Sequence, residues 1–281
     1  MTDQTFTLGS RVVRRVGFGA MQLPGPGVFG PPKDREGALE VVRRAVDAGV
    51  NHIDTAQFYG PDVANELLRE ALHPYPDDLV LVSKVGAARD AQAQWLPAQT
   101  PEALRAGIEA NLASLGLDQI PVVNLRRHPE SDVPFAEQLD AMETARGDGL
   151  IGAVGLSNVD LEQYRVAAAR IDIACVQNPY NLVDTPDADV FAACRVDGVA
   201  FVPFFPLGSA FHAENPVLTA APVVATARRL GTTPAQIALA WLLHLAPNVL
   251  LIPGTSSVEH LEENLAAAHV VLDDEAMAVL P

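Results

Sequence analysis

The string VNHIDTAQFYG, followed by LVLVSK, sets Asp54, Tyr59 and Lys84 at or just past the downstream ends of two apolar, strand-like runs, Val50 to Ile53 and Leu79 to Val82. A carboxylate, a phenol and an ammonium gathered there make a proton donor suited to reducing a carbonyl. Tyrosine by itself is a weak acid near neutrality, with a reference pKa of roughly 10, and a neighbouring ammonium favours the phenolate form. Lys84 is the candidate ammonium. Asp54 would keep it charged and fixed, because an unpaired cation in an apolar pocket tends to shed its proton. Each residue also has an ordinary reading: Asp54 as a loop cap, Tyr59 as a half-buried aromatic, Lys84 as a solvated strand end.

The three groups can act together only if the backbone brings their strand ends to one face. Strand-like runs begin at Val16, Val50, Leu79, Val122, Ile151, Ala174, Val199 and Val249, and alternate with amphipathic segments such as REGALEVVRRAVDAG and PEALRAGIEANLASLG. The runs from Val50 and Leu79 are too short for helices and as apolar as buried parallel strands. Thr100-Pro101 reads as an N-cap and first helical residue, while Gly49, Gly116 and Gly231 read as helix stops. The order predicts an α/β fold, a (β/α)8 TIM barrel, whose downstream strand ends share one face. The segment FTLGSRVVRRVG predicts an N-terminal β-hairpin plugging the opposite end, and GPGVFGPP near Gly25 predicts an irregular loop at the active-site mouth.

At 281 residues, 49% of them hydrophobic and none in a low-complexity tract, the chain is expected to form one barrel domain over residues 1–281. The longest strongly apolar run, Ile237 to Leu243, falls far short of the roughly 20 residues of a membrane span. No basic-then-apolar leader opens the sequence, so a cytoplasmic protein is expected. A formal net charge of −16 argues against nucleic acid and anionic membrane as partners and leaves a small-molecule carbonyl as the expected one. Cys175 and Cys194 supply neither a disulfide framework nor a metal-ligand cluster; no metal is expected, and both read as buried thiols.

The remaining strand ends offer Arg126 to His128, Ser157-Asn158, Gln177, Phe204-Phe205 and Gly254-Thr255. Hydroxyl and amide side chains can hold a carboxamide, a flat aromatic can stack on a nicotinamide ring, and a Gly-Thr-Ser turn opening a helix can hold an anion. No G-x-G-x-x-G follows a strand and no G-x-x-x-x-G-K-[ST] loop is present, so neither a Rossmann nor a P-loop phosphate site is supported. Gly17-Phe18-Gly19-Ala20 opens no helical pattern and reads as a tight first strand passing beneath a ligand.

Taken in order, GFGAM, HIDTAQFYG, LVSK, NLASLGLD, GLSN, VQNPYN, PFFPLG and IPGTSSVEHLEEN resemble the aldo-keto reductases over nearly the whole chain. These are barrel enzymes that use a nicotinamide cofactor without a Rossmann fold. The resemblance implies that Asp54, Tyr59 and Lys84 are three of four catalytic residues, with Tyr59 as general acid and hydride coming from the reduced nicotinamide. It implies that Gly19, Ala20 and Met21 adjoin the cofactor, that Ser157, Asn158 and Gln177 hold its carboxamide, and that Phe204 stacks on the nicotinamide. Leu207, Gly208 and Ser209 would begin a loop over the pyrophosphate, and Glu263 and Asn264 would contact adenine.

Two positions depart from the family pattern. Most members carry histidine eight residues beyond the aspartate of the LGLD motif, and here that count from Asp118 lands on Arg126, with His128 two residues further on. His128 would share a face with Arg126 if the strand continued. Register favours Arg126, a fixed cation able to donate to a carbonyl oxygen but not to shuttle protons. The family commonly grips the cofactor's 2′-phosphate with a lysine and an arginine where this chain has Gly254 and His260. Thr255, Ser256 and Ser257 can donate there instead, so NADP(H) is expected, with NAD(H) open. Within the family, GPGVFGPP, VVNLR and VPFFPLG resemble a bacterial branch that includes pyridoxal reductases, which implies reduction of pyridoxal to pyridoxine. The alternatives are a broad aldehyde or ketone reductase and an NADP(H)-binding, redox-sensing regulatory subunit with little turnover.

Overall fold

The structure, a computed structural model, describes residues 4–208 and 215–281. Along the chain run β1 (Thr5–Leu8), β2 (Arg11–Arg14), β3 (Phe18–Gly19), α1 (Arg35–Asp47), β4 (His52–Asp54), α2 (Val63–Leu72), β5 (Val80–Val85), β6 (Ala87–Arg89) and β7 (Trp95–Pro97). Then come α3 (Pro101–Leu115), β8 (Ile120–Arg126), α4 (Phe135–Gly147), β9 (Ile151–Ser157), α5 (Leu161–Ala168), β10 (Ile173–Gln177), α6 (Ala188–Asp197) and β11 (Ala200–Phe201). Five helices finish the chain: α7 (Pro216–Thr219), α8 (Ala221–Leu230), α9 (Pro234–Leu245), α10 (Val258–Ala266) and α11 (Asp274–Val279).

Seven strands pair in parallel in the order β11-β10-β9-β8-β5-β4-β3. The segment 249–251 supplies the eighth stave through single bridges: Val249 pairs with Phe201, and Leu251 pairs with Val16 just ahead of β3. Leu250 N–H donates to Phe201 O at 2.9 Å and Gly17 N–H to Leu251 O at 2.8 Å, which closes the (β/α)8 barrel. Helices start and stop where side chains can replace missing backbone partners. Thr100 accepts from Ala103 N–H to cap α3, and left-handed Gly116 and Gly231 end α3 and α8. Among the described residues no helix is long and apolar enough to cross a membrane.

Alternate strand residues point inward, and each interior layer takes its side chains from alternate strands of the barrel. Val80 and Val82 of β5, Val122 of β8, Cys175 of β10, Ala200 of β11, Val202 and Leu250 form the interior apolar cluster. Leu8 and Val13 from the β1–β2 hairpin join that cluster and plug the upstream end, as expected. The same alternation carried two residues further reaches Lys84 from Val82 and Gln177 from Cys175, and carried four further it reaches Arg126 from Val122 and Ser157 from Ala153. Polar groups interrupt the middle of the barrel. His52 fits because Gly17 lacks a side chain: a Cβ there would lie 2.3 Å from the imidazole. Cys175 and Cys194 are both free and buried, and burial raises both thiols above their ordinary range.

Candidate active site

A cavity of about 470 Å³ opens at the downstream strand ends, and its walls carry Asp54, Tyr59, Lys84, Arg126, Ser157, Gln177 and Phe204. Strand pairing explains the grouping: Arg126 is in register with Ser157, and Ser157 with Gln177. Only 3% of Lys84 is exposed. Its Nζ bonds to Asp54 Oδ1 and donates to Thr55 O at 3.1 Å. It also stands 4.9 Å from the centroid of the Tyr59 ring. Burial alone would drive Lys84 to lose its proton, but the combined pull of Asp54 and Tyr59 outweighs it and holds Lys84 above the usual lysine range. Asp54 Oδ2 accepts from Gln177 Nε2 at 2.9 Å, so both carboxylate oxygens are engaged and Asp54 serves as an anchor.

The fourth position is occupied by Arg126, which lines the cavity while its backbone carbonyl accepts from Gln99. Its Nη1 is buried without a hydrogen-bond partner among the described residues. Burial lowers the guanidinium's pKa, and Tyr59 pulls it the other way. His128 sits beyond the strand end, where its Nδ1 accepts from Glu130 N–H at 3.3 Å, and it does not line the cavity. Of the two candidates, Arg126 is the one that lines the cavity.

Other expected site residues divide. Gly19, Met21, Leu207, Gly208, Gly254, Thr255 and Ser256 line the cavity with those above. Ala20 is fully buried behind it and opens a single 3-10 turn, Ala20–Gln22, where the sequence suggested only strand. Asn158 turns away in a left-handed conformation at φ 57°, which asparagine tolerates, and the cap of α5 is Asp160. His260, Glu263 and Asn264 lie on α10, outside the cavity lining; Glu263 Oε1 accepts from Thr233. Ser209 lies outside the described residues. The GPGVFGPP loop contains one 3-10 turn, Pro26–Val28, and packs on the β4–α2 connection through Gly30 N–H to Gly60 O at 2.9 Å. None of it lines the cavity.

Sequence reasoning missed Trp95 and Phe58, both in the cavity wall. Trp95 belongs to β7, which pairs with β6 in an antiparallel hairpin after β5. The Arg89 guanidinium lies 4.2 Å from the Trp95 ring and that of Arg126 5.2 Å, so the indole stacks beside two cations. Phe58 meets Trp95 edge-on, with centroids 5.6 Å apart. The available signal was Asp90, whose carboxylate accepts from Gln92 and Gln94 N–H in an Asx-type turn.

A parallel barrel with a buried carboxylate–ammonium–phenol cluster at its downstream mouth defines a class of carbonyl-handling enzyme. Residues 15–280 match the Aldo/keto reductase family, and the chain belongs to that family. It is 48% identical over 285 residues to pyridoxine 4-dehydrogenase of Escherichia coli, covering 100% of this chain and 98% of that relative. An aldo/keto reductase of Klebsiella pneumoniae, solved in complex with NADP and acetate, superimposes with a TM-score of 0.81 at 27% identity over 98% of this chain and 93% of its own. Another structure from that organism, with NADPH, gives 0.83 at 28% identity over 99% and 94%.

Proposed function

We propose that the chain is an NADP(H)-dependent carbonyl reductase that converts an aldehyde to an alcohol with Tyr59 as general acid, and that pyridoxal is its substrate. The observation that carries this reading is Lys84, buried, bonded to Asp54 and facing the Tyr59 phenol on the cavity wall. The substrate follows from the 48% identity to the E. coli pyridoxine 4-dehydrogenase, and the cofactor from the NADP and NADPH held by the K. pneumoniae structures.

The residues present fit such a cofactor. Phe204 offers a flat apolar wall, Ser157 and the oxygen of Gln177 offer partners for a carboxamide, and Gly254 to Ser256 lead into the N-terminus of α10. Gly19 and Gly254 pack backbone to backbone, since a Cβ on Gly254 would meet Gly19 O at 2.6 Å, and this keeps that wall open. When bound, the reduced nicotinamide supplies the hydride. Tyr59 gives its phenolic proton to the carbonyl oxygen as negative charge builds there. Lys84 stabilises the phenolate left behind, and Asp54 keeps Lys84 protonated. Arg126 donates a hydrogen bond to the same oxygen but stays charged and gives up no proton, so Tyr59 is the sole acid.

The test is spectrophotometric oxidation of NADPH and NADH with pyridoxal and a panel of aromatic aldehydes. NADPH turnover with pyridoxal is expected, and Tyr59→Phe should lower kcat roughly 10²-fold or more. A fall of only a few-fold would remove Tyr59 from its role.

A further inference from the structure

Among the described residues, three charged groups line the cavity: Asp54, Lys84 and Arg126. The first two form an ion pair with each other, which leaves one cation unneutralised in the wall of a chain whose formal net charge is −16. Arg126 has no ion-pair partner among the described residues, and its buried Nη1 has no acceptor. A buried guanidinium donor without an acceptor is costly, and a ligand oxygen reaching Arg126 from the cavity would offset that cost. One donor to a polarised carbonyl would not use the fork, because guanidinium is built to engage two oxygens side by side. On one side the fork is held against the flat face of Trp95, at 5.2 Å, which leaves an aromatic ring in the cavity able to lie beside it.

We infer that Arg126 determines substrate specificity by bridging the carbonyl oxygen and a second, anionic oxygen on the adjacent ring atom, so that the site selects aromatic aldehydes bearing an ionised ortho hydroxyl. The inference rests on the aldehyde-reductase reading above and deepens it. Pyridoxal has this chemistry, with a hydroxyl on the carbon next to the one that bears the aldehyde. The ortho anion binds in the ground state and the transition state alike, whereas the bond to the carbonyl oxygen strengthens only as charge develops. The anion therefore acts mainly on KM and the carbonyl contact on kcat.

The experiment compares kcat/KM for 2-hydroxybenzaldehyde, its 3- and 4-hydroxy isomers and 2-methoxybenzaldehyde, with NADPH, across the pH range in which the ortho hydroxyl ionises. The wild-type protein should prefer the 2-hydroxy over the 2-methoxy compound by on the order of tenfold or more once the hydroxyl is ionised, mostly through KM. That preference should shrink as salt is added. In Arg126→Gln all rates fall, and the ratio between the two compounds should collapse to about twofold or less, while Arg126→Lys restores part of it. Equal kcat/KM for the two ortho compounds at every pH, or a ratio that survives Arg126→Gln, overturns the inference and leaves the aldehyde-reductase reading intact. If no aldehyde, pyridoxal included, supports NADPH oxidation, both readings fall together. The wild-type pH and salt profiles decide the matter even if the glutamine variant does not fold.

Discussion

Two arginines at opposite ends of the barrel show how the same side chain is put to different use. Arg15, at the upstream end, is 4% exposed and donates to the carbonyls of Val249 at 3.1 Å, Leu243 at 2.7 Å and Ala246 at 2.5 Å. Leu243 and Ala246 lie at the end of α9, where helix carbonyls lack partners and the helix dipole favours a cation. Arg126, at the downstream end, touches an indole face and keeps Nη1 without an acceptor. A guanidinium whose donors end on backbone carbonyls holds the chain together. One that lines a cavity without an ion-pair partner among the described residues is available to a ligand. Lys84 stands between these cases: its charge is matched by Asp54, yet it also faces Tyr59.

The contrast is broken most severely at Lys84. Lys84→Met should lower aldehyde-dependent kcat by roughly 10²- to 10⁴-fold, because the phenolate loses its counter-charge. It should also cost about 3 kcal/mol or more of stability in urea unfolding, since Asp54 stays buried without its cation. Near-wild-type turnover in that variant would mean that the downstream cluster is structural, like Arg15. Arg15→Met is expected to show the opposite profile. Three carbonyls lose a charged donor, so stability should drop by about 3 kcal/mol, while kcat/KM of the folded protein stays within about twofold. A comparable loss of activity at temperatures where the variant is folded would erase the distinction between the two ends.

The smallest effect concerns His52, the buried imidazole between them. Neither ring nitrogen has a hydrogen-bond partner among the described residues, and burial lowers its pKa from 6.5 to about 4, with weak opposition from the nearby Leu251 and Arg14 backbones. The folded state therefore binds this proton less readily than the unfolded chain. The contribution is fully present above pH 6.5 and is lost as pH falls through about 4. Its size is about 3 kcal/mol at most. Urea unfolding at pH 7, 5.5 and 4.5 should show a steeper loss in the wild-type protein than in His52→Leu. Parallel curves would show that the histidine carries no such linkage.

Much of this molecule is legible without coordinates. Every expected strand start lies within two residues of an observed stave, because short β-branched runs between amphipathic helices leave a parallel barrel as the simplest way to bury both faces of the strands. Asp54, Lys84, Arg126, Ser157 and Gln177 were readable as strand ends, since a period of two and a shared downstream face carry them to the same mouth. The β6–β7 hairpin was not, being two three-residue strands without apolar alternation, and so Trp95 went unnoticed.

Local pattern determined which elements form and in what order, because periodicity and capping act over a few residues. Tertiary structure alone decided what those elements do to one another's charges. It set Gln177 on Asp54 from 123 positions away, laid Trp95 against Arg126, and left Nη1 of Arg126 without an acceptor. Those outcomes depend on burial and on distances between residues remote in sequence, which come into being only when the barrel closes.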